Sequence, residues 1–297
     1  MSDFKEKFSE YISLVEENLR KYNAHSPGTE AQKDLIEAMN YSLEAGGKRI
    51  RPVLVYAFCN ALGGDIGNAA APAAAIEMIH TFSLIHDDLP AMDDDDYRRG
   101  SLSCHKAHGE AMAILAGDAL SVLPFGLIAD DDKLSPEQKI RIISELARAV
   151  GKNGMIGGQV IDMQNEQRND VDEANLRNMY RHKTGELISV SCIMGCICAG
   201  CTDSTVIGAA KEYGYKLGLA FQIIDDILDV TSTTEELGKP VGSDEEENKT
   251  TFVTLYGVEK AQEIAGNITD EAMRCLEKFE DNSFLRQLTE MLLKRKN

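Results

Sequence analysis

The stretch AAAPAAAIEMIHTFSLIHDD, Ala69 to Asp88, decides the fold class. It is long, apolar and alanine-rich, and it ends in two aspartates. It has no alternation of period two, so it is read as a buried helix, not a strand. A second stretch of the same kind, DSTVIGAAKEYGYKLGLAFQIIDDILDV from Asp203 to Val230, also ends near paired aspartates. Other segments carry helix signals of their own. In DFKEKFSEYISLVEENL, Phe4, Phe8, Ile12, Leu14 and Val15 fall roughly on one face. In LSPEQKIRIISELARAV, Ser135 is the expected N-cap, Pro136 takes the first helical position, and Gln138 sits three after the cap. Asp172 is the expected cap of VDEANLRNMYRHKTGELISVSCIMG. No strand alternation or hairpin signal is found. The expected fold is all-α, one domain over residues 1–297, with ten or more helices.

The chain is 43% hydrophobic with no tryptophan and 6% aromatic residues, so aliphatic side chains and alanine must fill the core. Its 31 basic and 49 acidic residues leave a net charge of −18. That charge repels nucleic acid and anionic lipid, and neither is an expected partner. It also disfavours a phosphorylated substrate, unless the site is locally basic or metal ions mediate. The N-terminus shows no basic start followed by an apolar run, so no signal peptide is expected. The longest mostly apolar segment, LISVSCIMGCICAGC, is too short and too rich in small residues to span a membrane. Seven cysteines in a long chain do not suggest a disulfide framework, and a cytoplasmic, reducing location fits them.

Three charged clusters carry the chemistry. SLIHDDLPAMDDDDYRRG, Ser83 to Gly100, places six aspartates within ten residues and follows them with Arg98 and Arg99. Asp87 and Asp88 end a helix, and Pro90 stops it from continuing. Periodicity does not say which of Asp93 to Asp96 faces Asp87, and part of that run reads equally well as a hydrated loop. In the second cluster Gln222, Asp225 and Asp229 share a helix face, while Asp226 points about 100° away. Mg²⁺ ligation and a hydrated helix end both fit this site alone. A glycosidase pair would use one carboxyl from each side, not two clusters. Several Mg²⁺ ions holding a diphosphate account for both the surplus acids and the arginines.

The third cluster, EAGGKRIRPVL, adds Lys48, Arg49 and Arg51 after Gly46 and Gly47, which would let backbone approach a ligand. It is not a phosphate loop, which needs a longer glycine loop after a strand and Ser or Thr after the lysine. Alone, it reads as a solvated surface. The polar break TSTTEELGKPVGSDEEENKT, Thr231 to Thr250, is long enough to suggest a functional loop, such as a lid that closes on bound diphosphate.

Taken together, GGKRIRP, HTFSLIHDDLPAMDDDDYRRG, GGQVIDM, YRHKTGELIS, FQIIDDILD and LGKPVGSD resemble the trans-isoprenyl diphosphate synthases, in that family's order and spacing over nearly the whole chain. Four residues separate the first Asp pair from the next Asp, as in bacterial-type farnesyl diphosphate synthases (geranyltranstransferases). The resemblance implies one polyprenyl synthetase domain, a helical bundle of the isoprenoid synthase type with a central cavity. It implies a homodimer and Mg²⁺, three ions per site. Asp87 and Asp93 would hold two ions and Asp225 a third, with Asp88 and Asp229 in support. Arg98, Lys183 and Lys239 would contact the diphosphate of an allylic substrate, dimethylallyl or geranyl diphosphate. Lys48, Arg51, His80 and Arg99 would bind isopentenyl diphosphate. Lys183, Thr184 and Gln222 would face the developing allylic cation.

The implied reaction breaks an allylic carbon–oxygen bond, and cations stabilise the departing diphosphate. The double bond of isopentenyl diphosphate attacks the allylic cation in a site kept dry. The proton is lost to the departed diphosphate, so no protein base is required. Phe82 lies five residues before Asp87, about 7.5 Å along a helix. On a wheel it sits to the side of Asp87's face, as an ordinary core residue could, but the resemblance implies that an aromatic residue there, with the small Ser83 beside it, forms a floor that stops growth at (2E,6E)-farnesyl diphosphate. Geranylgeranyl diphosphate is the alternative product. A class I terpene cyclase and a non-catalytic family subunit are the rival readings. Cys192, Cys196, Cys198 and Cys201 lack metal-knuckle spacing and read as reduced core residues. His86 reads as a packed or hydrogen-bonding side chain. Gln159 and Asp162 are outer contacts of the metal site or a helix–helix tie. The C-terminal LLKRKN is read as a soluble end.

Overall fold

The computed structural model describes residues 2–23, 30–231 and 249–293. The fold is all-α, 79% helical. It comprises two compact units, Met1–Tyr56 with Asp65–Ile143, and Ala57–Gly64 with Ser144–Asn297. The first part of the chain forms α1 (Ser2–Tyr22), α2 (Lys33–Leu43), α3 (Ile50–Ala61), α4 (Ala70–Asp87), α5 (Cys104–His108), α6 (Glu110–Asp130) and α7 (Pro136–Val150). The rest forms α8 (Met155–Glu166), α9 (Glu173–Tyr180), α10 (Glu186–Cys198), α11 (Ser204–Thr231), α12 (Phe252–Tyr256), α13 (Val258–Cys275) and α14 (Ser283–Leu293).

The caps form as their residues require. The Ser135 N–H donates to Gln138 Oε1 at 3.0 Å, and the Gln138 N–H donates to Ser135 Oγ at 3.2 Å. Asp172 caps α9 by accepting from the Asn175 N–H at 2.9 Å. Helix α4 is buried along most of its length, from Ala71 to Ile85, because its alanines let neighbours approach. That burial includes Glu77, which a buried cation must match. Arg49 supplies it: its Nη1 donates to Glu77 Oε1 and its Nε to Glu16 Oε1, both at 2.7 Å, and its Nη2 donates to the Leu43 carbonyl at 2.5 Å. Breaking such a buried network leaves an uncompensated charge, so Arg49 is a structural residue, not part of a solvated basic surface. In the second unit, Phe58 packs between Tyr213 and Phe279 with ring centroids 5.5 and 5.1 Å apart. Helix α10 is buried from Leu187 to Cys198. Cys192, Cys196 and Cys198 are buried and Cys201 is half-buried. Burial pushes the Cys192 and Cys196 thiols up, away from reactivity.

Two features depart from expectation. A hairpin is present: Tyr97–Arg98 pairs antiparallel with Ser101–Leu102. Its turn residues, Arg99 and Gly100, have φ of 55° and 81°, the signs a tight two-residue hairpin demands. Strands of two residues leave no alternation to detect. Helix α6 is also apolar and, at 21 residues, long enough by length and composition to cross a membrane, unlike the segment singled out from the sequence. It contains Pro124. Ala113, Ala116, Gly117, Leu120, Pro124 and Ile128 form a buried stripe at helical spacing, so one side packs on protein. Ile114, Leu115 and Val122 are exposed.

Candidate active site

In the first unit, α4 carries His80, Phe82, Ser83 and Asp87, and Asp88 is its C-cap. The chain then turns back: the Asp93 N–H donates to the Asp87 carbonyl at 2.9 Å. Asp87 is half-buried and Asp93 exposed on the same turn. Asp88 is buried, and Arg98 Nε donates to its Oδ1 at 2.8 Å. Burial pushes the Asp88 carboxyl above its usual range, and Arg98 opposes that rise. Arg98 also reaches Asp95 at 3.0 Å, and Lys106 pairs with Asp96 at 2.7 Å. The later acids of the run are thus exposed and partly neutralised by local cations. Asp94, Asp96 and His105 bring ligand-type atoms within 4.8 Å of one another, a second acidic group beside Asp87 and Asp93. Ser83 is half-buried and donates its hydroxyl to the His80 carbonyl at 2.9 Å. Phe82 is buried, its ring edge-on to His86 at 5.8 Å. His86 Nε2 lies 3.2 Å from the Ile114 carbonyl, a packed histidine. A Cβ at Gly117 would meet that ring at 2.2 Å, so any larger residue there would make the His86 side chain move.

The basic residues converge in the same unit. Arg99 donates to the Gly46 carbonyl. A Cβ on Gly47, whose φ is +125°, would sit 2.7 Å from the Arg99 guanidinium carbon. The bare backbone of the glycine pair therefore accommodates a protein arginine, not a ligand. Arg51 is half-buried, and burial followed by the nearby Arg99 lowers its pKa to about 10 despite Glu77. Lys48 is exposed next to this patch in sequence. His80 feels burial first, then Arg51, Arg99, Arg49 and Arg98, all holding its imidazole well below the usual range. It is neutral at pH 7. Crowded cations without a bound anion are unfavourable, which suits an anion site. The pH consequence has a definite sign. Below about pH 6.5 the unfolded chain gains a proton at this histidine that the folded chain refuses, so stability falls as pH drops. His80→Asn should flatten that fall between roughly pH 6.5 and 5 in denaturant titrations, while the two proteins' pH dependence stays parallel above pH 7.

The second unit holds a cavity of about 220 Å³ lined by Asp162, Lys183, Thr184, Gln222, Asp225, Asp229 and Lys249, among others. A π-helical turn, Arg181–Gly185, joins α9 to α10 and carries Lys183 and Thr184. Wider turns of this kind recur at functional sites. Lys183 Nζ pairs with Asp162, a tie between elements, and Asp162 also lines the cavity. The Thr184 hydroxyl donates to Gln222 Oε1 at 2.9 Å. Gln222, Asp225, Asp226 and Asp229 all line the cavity; Asp225 is half-buried, and Asp226 and Asp229 are buried. Asp226 is bonded: Tyr180 donates to both of its oxygens at 2.9 Å, and the Phe252 N–H donates at 3.1 Å. Sequence reasoning missed Lys249, a half-buried lysine 3.9 Å from Glu166, because it follows a polar run with no periodicity. Lys239 and most of the proposed lid, 232–248, lie outside the described residues, as do 294–297.

The chain matches the model of the polyprenyl synthetase family over residues 32–292. It belongs to that family. The Escherichia coli protein named farnesyl diphosphate synthase is 41% identical over 299 aligned residues, 99% of each chain. An Arabidopsis thaliana protein named geranylgeranyl pyrophosphate synthase 12 is 46% identical, over 83% of this chain and 69% of its own. The crystal structure of a Helicobacter pylori geranyltransferase, complexed with magnesium and isoprenyl diphosphate, superimposes with a TM-score of 0.81 at 33% identity, covering 97% of this chain and 96% of the other. The polyprenyl synthetase is a transferase, and its fold is that of the isoprenyl synthases.

Proposed function

We propose that the chain acts as one polyprenyl synthetase domain that condenses isopentenyl diphosphate with dimethylallyl and then geranyl diphosphate, giving mainly farnesyl diphosphate. The observation that carries this reading is the cavity in the second unit, whose lining brings Asp225 and Asp229 together with Lys183, Lys249 and the hydrogen-bonded Thr184–Gln222 pair. Hard carboxylate oxygens are the donor set magnesium prefers. Asp225 and Asp229 on α11, and Asp87 and Asp93 on the first acidic turn with Asp88 behind them, are the residues that would hold it. Bound magnesium supplies positive charge for a departing diphosphate. Lys183 and Lys249 add fixed charge for the allylic diphosphate, a role the motif resemblance also implies for Arg98 and Lys239. Arg51, His80, Arg99 and Lys48 take the diphosphate of isopentenyl diphosphate. Neutral His80 contributes a hydrogen bond there without adding charge. Thr184 and Gln222 face the allylic cation with oxygen dipoles too weakly nucleophilic to capture it.

Product length rests on Phe82. Its ring is already packed against His86, which Gly117 admits, so the wall behind the first aspartates is filled. A homodimer is supported by the exposed apolar side of α6, where Ile114, Leu115 and Val122 face solvent, and by exposed Ile140 on α7. The buried cysteines of α10 support the reading of a reducing, cytoplasmic location. Incubation with Mg²⁺, labelled isopentenyl diphosphate and a C5 or C10 allylic diphosphate tests the reading. Farnesyl diphosphate should dominate, and Phe82→Ala should shift the product to twenty carbons or more. Geranylgeranyl diphosphate from the unaltered protein would select the longer-chain reading. No condensation would remove the enzyme assignment of this site.

A further inference from the structure

We infer that Asp226 is a positioning residue that sets the register between α11 and the π-helical turn through Tyr180; the inference rests on the site reading above. Asp226 stands between Asp225 and Asp229 in an aspartate-rich helix, where a metal-ligand role is the obvious expectation. Its geometry points elsewhere. The side chain is 6% exposed, and Tyr180, also 6% exposed, donates its hydroxyl toward both carboxylate oxygens at 2.9 Å. The backbone N–H of Phe252 adds a donor at 3.1 Å. Tyr180 in turn stacks on the Phe252 ring at 6.0 Å, and the Arg177 guanidinium lies 5.5 Å from that ring's centre.

The placement in sequence makes this knot consequential. Tyr180 is the last residue of α9, and the turn bearing Lys183 and Thr184 begins at the next residue. Asp226 is the residue after Asp225. Phe252 opens α12, the first helix described after residues 232–248. One buried carboxylate therefore holds three chain segments at the points where they meet the cavity. An ionised acceptor makes stronger bonds than a neutral one and centres the phenol between two equivalent oxygens. An asparagine offers one acceptor and one donor, so the phenol must move to one side. A shift of about 1 Å at reacting groups is enough to cost roughly 100-fold in rate.

The test is a double-mutant cycle with Asp226→Asn, Tyr180→Phe and both together, each measured two ways. In metal-free protein, thermal unfolding should drop for each single variant and by less than the sum of the two for the double, because both act on the same tie. In the condensation assay, each single variant should lose about tenfold in kcat with the KM for isopentenyl diphosphate unchanged, and the double should equal the singles. The Mg²⁺ concentration for half-maximal rate should stay the same in all three. Additive losses would overturn the inference, as would a Mg²⁺ requirement that moves with Asp226→Asn but not with Tyr180→Phe. Lowered melting with an unchanged kcat would also overturn it, by showing a tie with no positioning role. If the unaltered protein fails to condense, the function reading falls, and the metal-free cycle still decides whether the tie exists.

Discussion

Arg51→Met is expected to raise the KM for isopentenyl diphosphate roughly 30- to 150-fold, the equivalent of losing about 2–3 kcal/mol of charge-assisted hydrogen bonding. The same substitution should leave the empty protein as stable as before, or more so. Both halves follow from one feature. The Arg51 guanidinium is half-buried next to Arg99 and His80, and that setting brings its pKa down to about 10. A cation held where its charge is disfavoured contributes little to folding and much to anion capture. Methionine keeps the apolar stem and removes the like-charge repulsion. Steady-state kinetics at saturating allylic substrate gives the KM, and denaturant titration of the ligand-free protein gives the stability. A stability loss beyond about 1 kcal/mol would mean that Arg51 belongs to the structural network of Arg49, not to a substrate site. Arg49→Met is the contrast. It strands Glu16 and Glu77 next to α4 and should destabilise by about 3–5 kcal/mol.

The contrast between Arg49 and Arg51 also marks what the sequence makes legible. Two arginines two positions apart look alike as letters, yet Arg49, at a positive φ of 49°, reaches inward to Glu77. Helices α4 and α11 were readable because uninterrupted apolar spacing leaves them no alternative to burial. The caps at Ser135 and Asp172 were readable because their partners lie three residues away. The hairpin was not, since its signal is confined to the turn at Arg99 and Gly100. The partners of Asp226 were not either: Tyr180 is 46 residues away and Phe252 is 26. A wheel diagram turns Asp226 away from the face of Gln222, Asp225 and Asp229, whereas in the fold it lines the same cavity and is tied there to Tyr180, a partner the wheel has no means of naming. The motif resemblance supplied roles for Asp87, Asp225 and Lys183, while the Lys183–Asp162 pair and the place of Lys249 emerge only when α8, α11 and the π-helical turn are packed together.

That packing is narrow at Gly158, and Gly158→Ala is expected to break it. A Cβ on Gly158 would lie 2.2 Å from the Lys183 backbone nitrogen and 2.6 Å from both the His182 carbonyl carbon and Lys183 Cα. All three are backbone atoms, so no side chain can rotate away to make room. The π-helical turn or α8 has to move, at a cost of about 1–3 kcal/mol or more. Ordinary propensity runs the other way, since alanine favours a helix interior over glycine by about 1 kcal/mol. Gly266→Ala is the matched control: it lies within α13 with nothing within 4 Å of its Cβ position, and it should be neutral or stabilising. The displacement in Gly158→Ala acts on the residues that carry Lys183 and Thr184, so activity should fall further than stability alone explains. At a temperature where the variant is fully folded, kcat should drop on the order of 100-fold. The KM for isopentenyl diphosphate, whose proposed contacts are in the first unit, should hold. Equal activity in folded Gly158→Ala would show that the turn tolerates displacement, and the Lys183–Thr184 pair would then lose its place at the reacting centre.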